Sequence, residues 1–128
     1  MVGVVIPTYK EADNIGNLIQ EILRRVPSAR IVVVDDSPDL ATTAAAERLG
    51  LPQVTVTHRE KKGGRGSAVL EGVTQLLQHD CTQILEMDAD FSPPPSQIPP
   101  LLQEAIGRKL GLLVASRYLP QSEIHHWP

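Results

Sequence analysis

The chain has 128 residues, 12 Lys+Arg against 15 Asp+Glu for a formal charge of −3, and 41% hydrophobic but only 3% aromatic residues. This is the length of one domain with a core of Val, Ile, Leu and Ala, and the charge argues against general nucleic-acid binding through a basic surface. A single cysteine, Cys81, excludes an internal disulfide and a thiolate metal site; no apolar run reaches the roughly 20 residues of a membrane helix, and no basic leader precedes the first apolar run, so the chain reads as soluble and cytoplasmic.

Val2-Gly3-Val4-Val5-Ile6 has the pattern of a strand covered on both faces, and Pro7-Thr8-Tyr9 ends it. Ile15, Leu18, Ile19, Ile22 and Val26 then fall on one helical face, with Glu11 and Asp13 in the leading turn, Arg24-Arg25 near the exit and Pro27 as the stop. A second buried strand, Ile31-Val32-Val33-Val34, ends in Asp35-Asp36-Ser37-Pro38-Asp39. An alanine-rich helix is predicted over 41–49, with Gly50 as C-cap and Pro52 beyond. Val54, Val56 and His58 alternate with Thr55 and Thr57, which suits a strand near an edge.

Next comes a basic, glycine-rich loop, Arg59-Glu60-Lys61-Lys62-Gly63-Gly64-Arg65-Gly66, and an amphipathic helix carrying Val69, Leu70, Val73, Leu76 and Leu77. A fourth strand over 82–87 delivers Asp88 and Asp90 at its carboxyl end. Pro99 and Pro100 fit only the first turn of a following helix, predicted to run to about Lys109, and residues 110–115 read as a fifth strand before Ser116-Arg117-Tyr118. Regular alternation of strand and helix predicts an α/β fold, a mostly parallel open sheet with helices on both faces, in one domain over 1–128.

In such sheets ligands bind outside the carboxyl ends of the strands, where the strand order reverses. Those ends carry Pro7, Thr8, Tyr9 and Glu11, then Asp35, Asp36 and Asp39, then Lys61, Lys62 and Arg65, then Asp88 and Asp90, and finally Arg117. Acids and bases gathered on one rim suit a phosphorylated ligand held through a metal. Asp88 and Asp90 can give Mg2+ or Mn2+ one or two hard carboxylates, leaving the other positions to phosphate oxygens and water. Arg117 and the Lys61/Lys62/Arg65 loop can neutralise a diphosphate, Arg by bidentate bonds and Lys as a point charge. The spacing G-x-x-x-x-G-K-[ST] is absent, as is G-x-G-x-x-G after strand one, so neither a P-loop nor the usual dinucleotide fingerprint is present. His58 reads as structural, His125-His126 lack a third ligand, and Cys81 reads as an inert small hydrophobe.

Residues 5–15, Val33-Val34-Asp35-Asp36-Ser37-Pro38-Asp39, Met87-Asp88-Ala89-Asp90-Phe91-Ser92-Pro93-Pro94, Ala115-Ser116-Arg117-Tyr118 and Trp127-Pro128 occur in this order. They resemble five motifs of the family-2 glycosyltransferases, in particular the branch of dolichol- or polyprenol-phosphate mannose synthases. The resemblance implies a GT-A fold, Rossmann-like, that moves a hexose with inversion from a nucleotide sugar such as GDP-mannose to a lipid phosphate. By position it implies that Pro7, Tyr9, Glu11 and Asp36 hold the nucleoside, that Asp88 and Asp90 bind the metal, and that Arg117 meets the phosphates; Lys61 and Arg65 are placed on the nucleotide by the charge of their loop alone. It also implies a lipid-phosphate acceptor at a membrane surface, met from the cytoplasmic face.

The chain departs from the family pattern at Lys10, where Asn is usual, at Leu40-Ala41-Thr42, which lacks a glycine, and at Arg65, where an apolar residue is common. Members of the family continue past the segment that resembles Trp127-Pro128 with acceptor-side elements. The chain therefore reads as the nucleotide-sugar half, leaving room for a second copy or another chain to cover that side. A non-catalytic nucleotide-sugar-binding module is the alternative reading. A sugar-phosphate nucleotidyltransferase ranks below both, because Pro7-Thr8-Tyr9-Lys10 is not the glycine-rich loop it needs.

Overall fold

Alternation along three short apolar runs builds two cores, one on each side of a single sheet. The computed structural model describes residues 2–60, 64–89 and 112–114. The strands are β1 (Val2–Thr8), β2 (Arg30–Asp35), β3 (Val54–His58), β4 (Gln83–Glu86) and β5 (Leu112–Val114), in the order β3-β2-β1-β4-β5. Every pairing is parallel. The helices are α1 (Ile15–Arg25), α2 (Ala41–Glu47) and α3 (Arg65–Gln78).

Val4, Ile6, Ile31, Val33, Leu85 and Met87 pack with Ile15, Leu18, Ile19 and Ile22 of α1 and Ala46 of α2. The alternate positions Val5, Val32, Val34 and Ile84 pack on the other side with Ala68, Val73 and Leu76 of α3. A period of two on the strands thus sends successive residues to opposite helix layers. Each fully buried aliphatic side chain contributes about 1.5–3 kcal/mol over its exposed state. The α/β sheet with helices on both faces is as the sequence predicts.

Gly72 sets how closely α3 approaches the sheet. A Cβ there would lie 2.1 Å from Val5 Cγ2 and 3.1 Å from Val5 Cβ, so only hydrogen fits. Gly64, just before α3, takes φ +86, a left-handed value that a side chain disfavours.

Several boundaries differ from the expectations. Helix α1 begins at Ile15, and Glu11 and Asp13 precede it, with the Glu11 carbonyl accepting from the N–H groups of Asn14 and Ile15. Helix α2 ends at Glu47, and Gly50, at φ +62, donates its N–H to the Glu47 carbonyl, which closes a turn after the helix. β3 is an edge strand with every residue half-buried, as its mixed Val/Thr pattern predicts. The helix expected after Pro99-Pro100, together with Lys61, Lys62, Asp90 and Arg117, lies outside the described residues. Among the described residues no helix is long and apolar enough to cross a membrane.

Candidate functional site

The strand order reverses at β1, which has β2 on one side and β4 on the other, while the chain reaches β4 only after β3 and α3. In open α/β sheets ligands bind at such a reversal, beyond the carboxyl ends of the two strands, here β1 and β4. Pro7 and Thr8 close β1, Asp35 closes β2 with Asp36 following, and Asp88 follows β4. The Met87 N–H donates to the Val5 carbonyl at 3.0 Å, so β4 continues beside β1 up to the residue before Asp88.

The two neighbouring aspartates serve different faces, as strand alternation requires. Asp35 follows Val33 on the α1/α2 side and is fully buried. Its Oδ1 accepts from Thr8 Oγ1 (3.1 Å), the Ser37 N–H (3.0 Å) and Ser37 Oγ (2.5 Å), and its Oδ2 from Thr43 Oγ1 (2.8 Å). A buried carboxylate is tolerated when its lone pairs are met in this way. Asp35 therefore fastens the end of β1, the β2–α2 loop and α2 to one point.

The same hydroxyls hold the loop that leaves β1. The Lys10 N–H donates to Ser37 Oγ at 2.7 Å, and the Glu11 N–H donates to Thr42 Oγ1 at 2.9 Å. Lys10 sits at φ +54, a left-handed conformation that Asn adopts more readily than Lys. Its ammonium lies 5.5 Å from the centre of the Tyr9 ring, a cation–π contact on a side chain that is 51% exposed. The Glu11 carboxylate accepts from Asn14 Nδ2 at 3.3 Å.

Asp36 follows Val34 on the α3 side, where Arg59 grips it. Arg59 Nε donates to Asp36 Oδ1 at 2.7 Å and Nη2 to Oδ2 at 2.6 Å, a two-pronged pair whose side chains are only 14% and 12% exposed. The bonds to Asp36 raise the Arg59 pKa above its ordinary value, so the guanidinium stays charged at any working pH. His58 Nε2 lies 3.0 Å from the Ser37 carbonyl and 3.1 Å from that of Asp39. Two acceptors at one ring nitrogen require the proton on Nε2. Asp39 Oδ1 accepts from the Ala41 N–H, two residues on, at 3.0 Å, an Asx-type turn that leads into α2.

Of the residues picked out in the sequence, Pro7, Tyr9, Glu11 and Asp36 share the β1/β2 end of the rim, Asp88 stands at the end of β4, and Arg65 opens α3. Asp90, Lys61 and Arg117 lie outside the described residues. Sequence reasoning named Thr8 on the rim and read His58 as structural, as its contacts to the Ser37 and Asp39 carbonyls bear out, but it missed the Arg59–Asp36 pair and the hydroxyls of Ser37, Thr42 and Thr43. The one available signal was position: Arg59 and Ser37 come just after strand ends, and Thr42 and Thr43 lie in the first turn of α2. Among the described residues there is no group of three or more His, Cys, Asp or Glu that could hold a metal. Half-buried Asp88 is a hard oxygen donor, and a cation such as Mg2+ or Mn2+ needs only one or two protein carboxylates beside phosphate and water, so the donor set fits.

The family model described as glycosyl transferase family 2 matches residues 3–128. The polyprenol monophosphomannose synthase of Mycolicibacterium smegmatis is 36% identical over 128 residues, which cover 98% of this chain and 48% of that protein. The undecaprenyl-phosphate mannosyltransferase of Micrococcus luteus is 39% identical over 129 residues, covering 97% of this chain and 51% of that protein. The chain thus spans about half the length of these curated relatives. Among solved structures, a mannosyltransferase from Pyrobaculum calidifontis in complex with GDP-Man and Mn2+ superposes with a TM-score of 0.62 at 24% identity, over 81% of this chain and 32% of that one. That likeness concerns the fold, which is GT-A.

Proposed function

The chain belongs to glycosyl transferase family 2, and on that premise we propose that it forms the donor-binding part of a divalent-cation-dependent, inverting enzyme that moves mannose from GDP-mannose to a polyprenol phosphate. The observation that carries this reading is the grouping of Asp36, Pro7 and Asp88 at the carboxyl ends of three adjacent strands, around the reversal of strand order. It is supported by relatives named as polyprenol- and undecaprenyl-phosphate mannosyltransferases, and by a structural neighbour that holds GDP-Man with Mn2+.

In this reading Tyr9, Pro7, Glu11 and Asp36 receive the nucleoside, and the Asp35 network keeps their loops in place before the donor arrives. Asp88 and Asp90 hold the cation, which when bound supplies positive charge to the leaving diphosphate. Arg117, Lys61 and Arg65 neutralise the remaining phosphate charge. An acceptor phosphate oxygen attacks the anomeric carbon from the face opposite the diphosphate. A new carbon–oxygen bond forms as the old one breaks, and GDP leaves with the bonding electrons. The attacking oxygen is already anionic, so no side chain has to remove a proton. In this reading the lipid acceptor is met at a membrane surface, from the cytoplasmic face.

The alternative reading is a binding module that holds the nucleotide sugar without transferring it. Incubation with radiolabelled GDP-mannose, Mn2+ and polyprenyl phosphate in detergent micelles separates the two. Labelled lipid from the 128-residue chain supports the enzyme. Donor binding without labelled lipid supports the module, and neither result overturns both.

A further inference from the structure

Parallel pairing carries Arg59 to its place beside Asp36. The Asp36 N–H donates to the Thr8 carbonyl at 3.0 Å and the Arg59 N–H to the Asp35 carbonyl at 2.9 Å, so β1, β2 and β3 stay in register past their ends. Arg59 then does more than neutralise its neighbour. While Nε and Nη2 hold the Asp36 carboxylate, Nη1 donates to Ser67 Oγ at 2.8 Å and Nη2 reaches the Gly64 carbonyl at 3.4 Å. Gly64 and Ser67 flank the start of α3, immediately after the basic loop. One planar group therefore joins the β1/β2 end of the rim to the first turn of the helix that follows the basic loop.

We infer that Arg59 is a positioning residue for donor binding, acting through Asp36 and the first turn of α3 rather than by touching the donor. This rests on the donor-site reading above. Each Asp36 oxygen spends one lone pair on the guanidinium and keeps another, so Asp36 offers acceptors in a fixed direction to the N–H or O–H groups of a nucleoside. The pair is neutral as a unit, so Asp36 does not repel a diphosphate bound alongside. Lys in place of Arg59 keeps the charge but cannot make the fork or span to Ser67 at the same time.

The test is calorimetric titration of the chain with GDP and with UDP in Mn2+, using wild type, Arg59→Met, Arg59→Lys, Ser67→Ala, Asp36→Asn and the Arg59→Met/Asp36→Asn double variant. Each is first shown to be folded by circular dichroism. Arg59→Met is expected to weaken the better-bound nucleotide about tenfold, with Arg59→Lys and Ser67→Ala between it and wild type. Because Arg59 acts through Asp36, the double variant is expected to bind about as well as Asp36→Asn alone. If Arg59→Met does not fold, Ser67→Ala and Arg59→Lys decide by the same measure. Folded variants that bind like wild type, or a double variant that loses the product of both single effects, overturn the inference while leaving the donor site standing. A wild-type chain that binds neither nucleotide overturns the donor-site reading, and the inference falls with it.

Discussion

The Glu11 N–H donates to Thr42 Oγ1 at 2.9 Å across 31 positions of sequence, and this bond fixes the loop after β1 against the first turn of α2. Thr42 is fully buried, so water cannot replace it. Thr42→Val keeps the shape and strands the Glu11 N–H, at an expected cost of about 1–3 kcal/mol in urea unfolding. Thr42→Ser keeps the hydroxyl and is expected to lose less. Equal losses for the two would show that the methyl group, not the bond, matters.

Asp35 holds the larger share of this framework. Asn at that position keeps one carbonyl oxygen but turns an NH2 toward hydroxyl and amide donors that need acceptors. Asp35→Asn is expected to destabilise the fold by about 2–4 kcal/mol, read as a lower urea midpoint with an unchanged slope. A variant as stable as wild type would show that the four hydrogen bonds carry little.

The strands, the helices and their alternation were legible because each apolar run has one period and clear stops, as in Val2–Thr8 and Ile15–Arg25. The rim acids were legible too, since the Asp35-Asp36 pair and Asp88 directly follow such runs. Arg59 was not. It stands at the head of a basic stretch and looks like one more loop cation, whereas its partner lies 23 positions back and is brought over by the β2–β3 register. Ser37, Thr42 and Thr43 were equally silent, because a lone hydroxyl has no local pattern until the fold sets a partner opposite it. The close approach at Gly72 likewise depends on which strand α3 covers.

Gly72→Ala tests that approach. The added carbon falls 2.1 Å from Val5 Cγ2, and a β-branched residue in a fully buried strand has no room to turn away. The expected cost is about 1–3 kcal/mol. Shortening the neighbour in Val5→Ala/Gly72→Ala is expected to recover part of it, so the two changes are not additive. Additive losses in thermal or urea unfolding would contradict the contact.

Cys81 lies only 5% exposed, and burial raises its thiol pKa above the ordinary value. The native thiol is therefore expected to react slowly with iodoacetamide at neutral pH and quickly once urea unfolds the chain. A group with a raised folded-state pKa binds its proton more tightly when folded. Its stabilising effect is whole below the unfolded thiol value of about 8.5 and is lost as pH rises through the folded value. Cys81→Ser should flatten that alkaline decline in stability. An unchanged decline would assign it to other groups.

The central claim is that the rim between β1, β2 and β4 holds a nucleotide sugar through a cation at Asp88. Isothermal titration of the chain with GDP-mannose, with Mn2+ and with EDTA, tests it most directly when repeated on Asp88→Asn. Saturable binding to wild type in Mn2+ is predicted, at least about tenfold weaker both in EDTA and in Asp88→Asn. Binding that is indifferent to both Mn2+ and Asp88, or no binding of GDP-mannose, UDP-glucose or UDP-N-acetylglucosamine by the folded chain, would contradict the account.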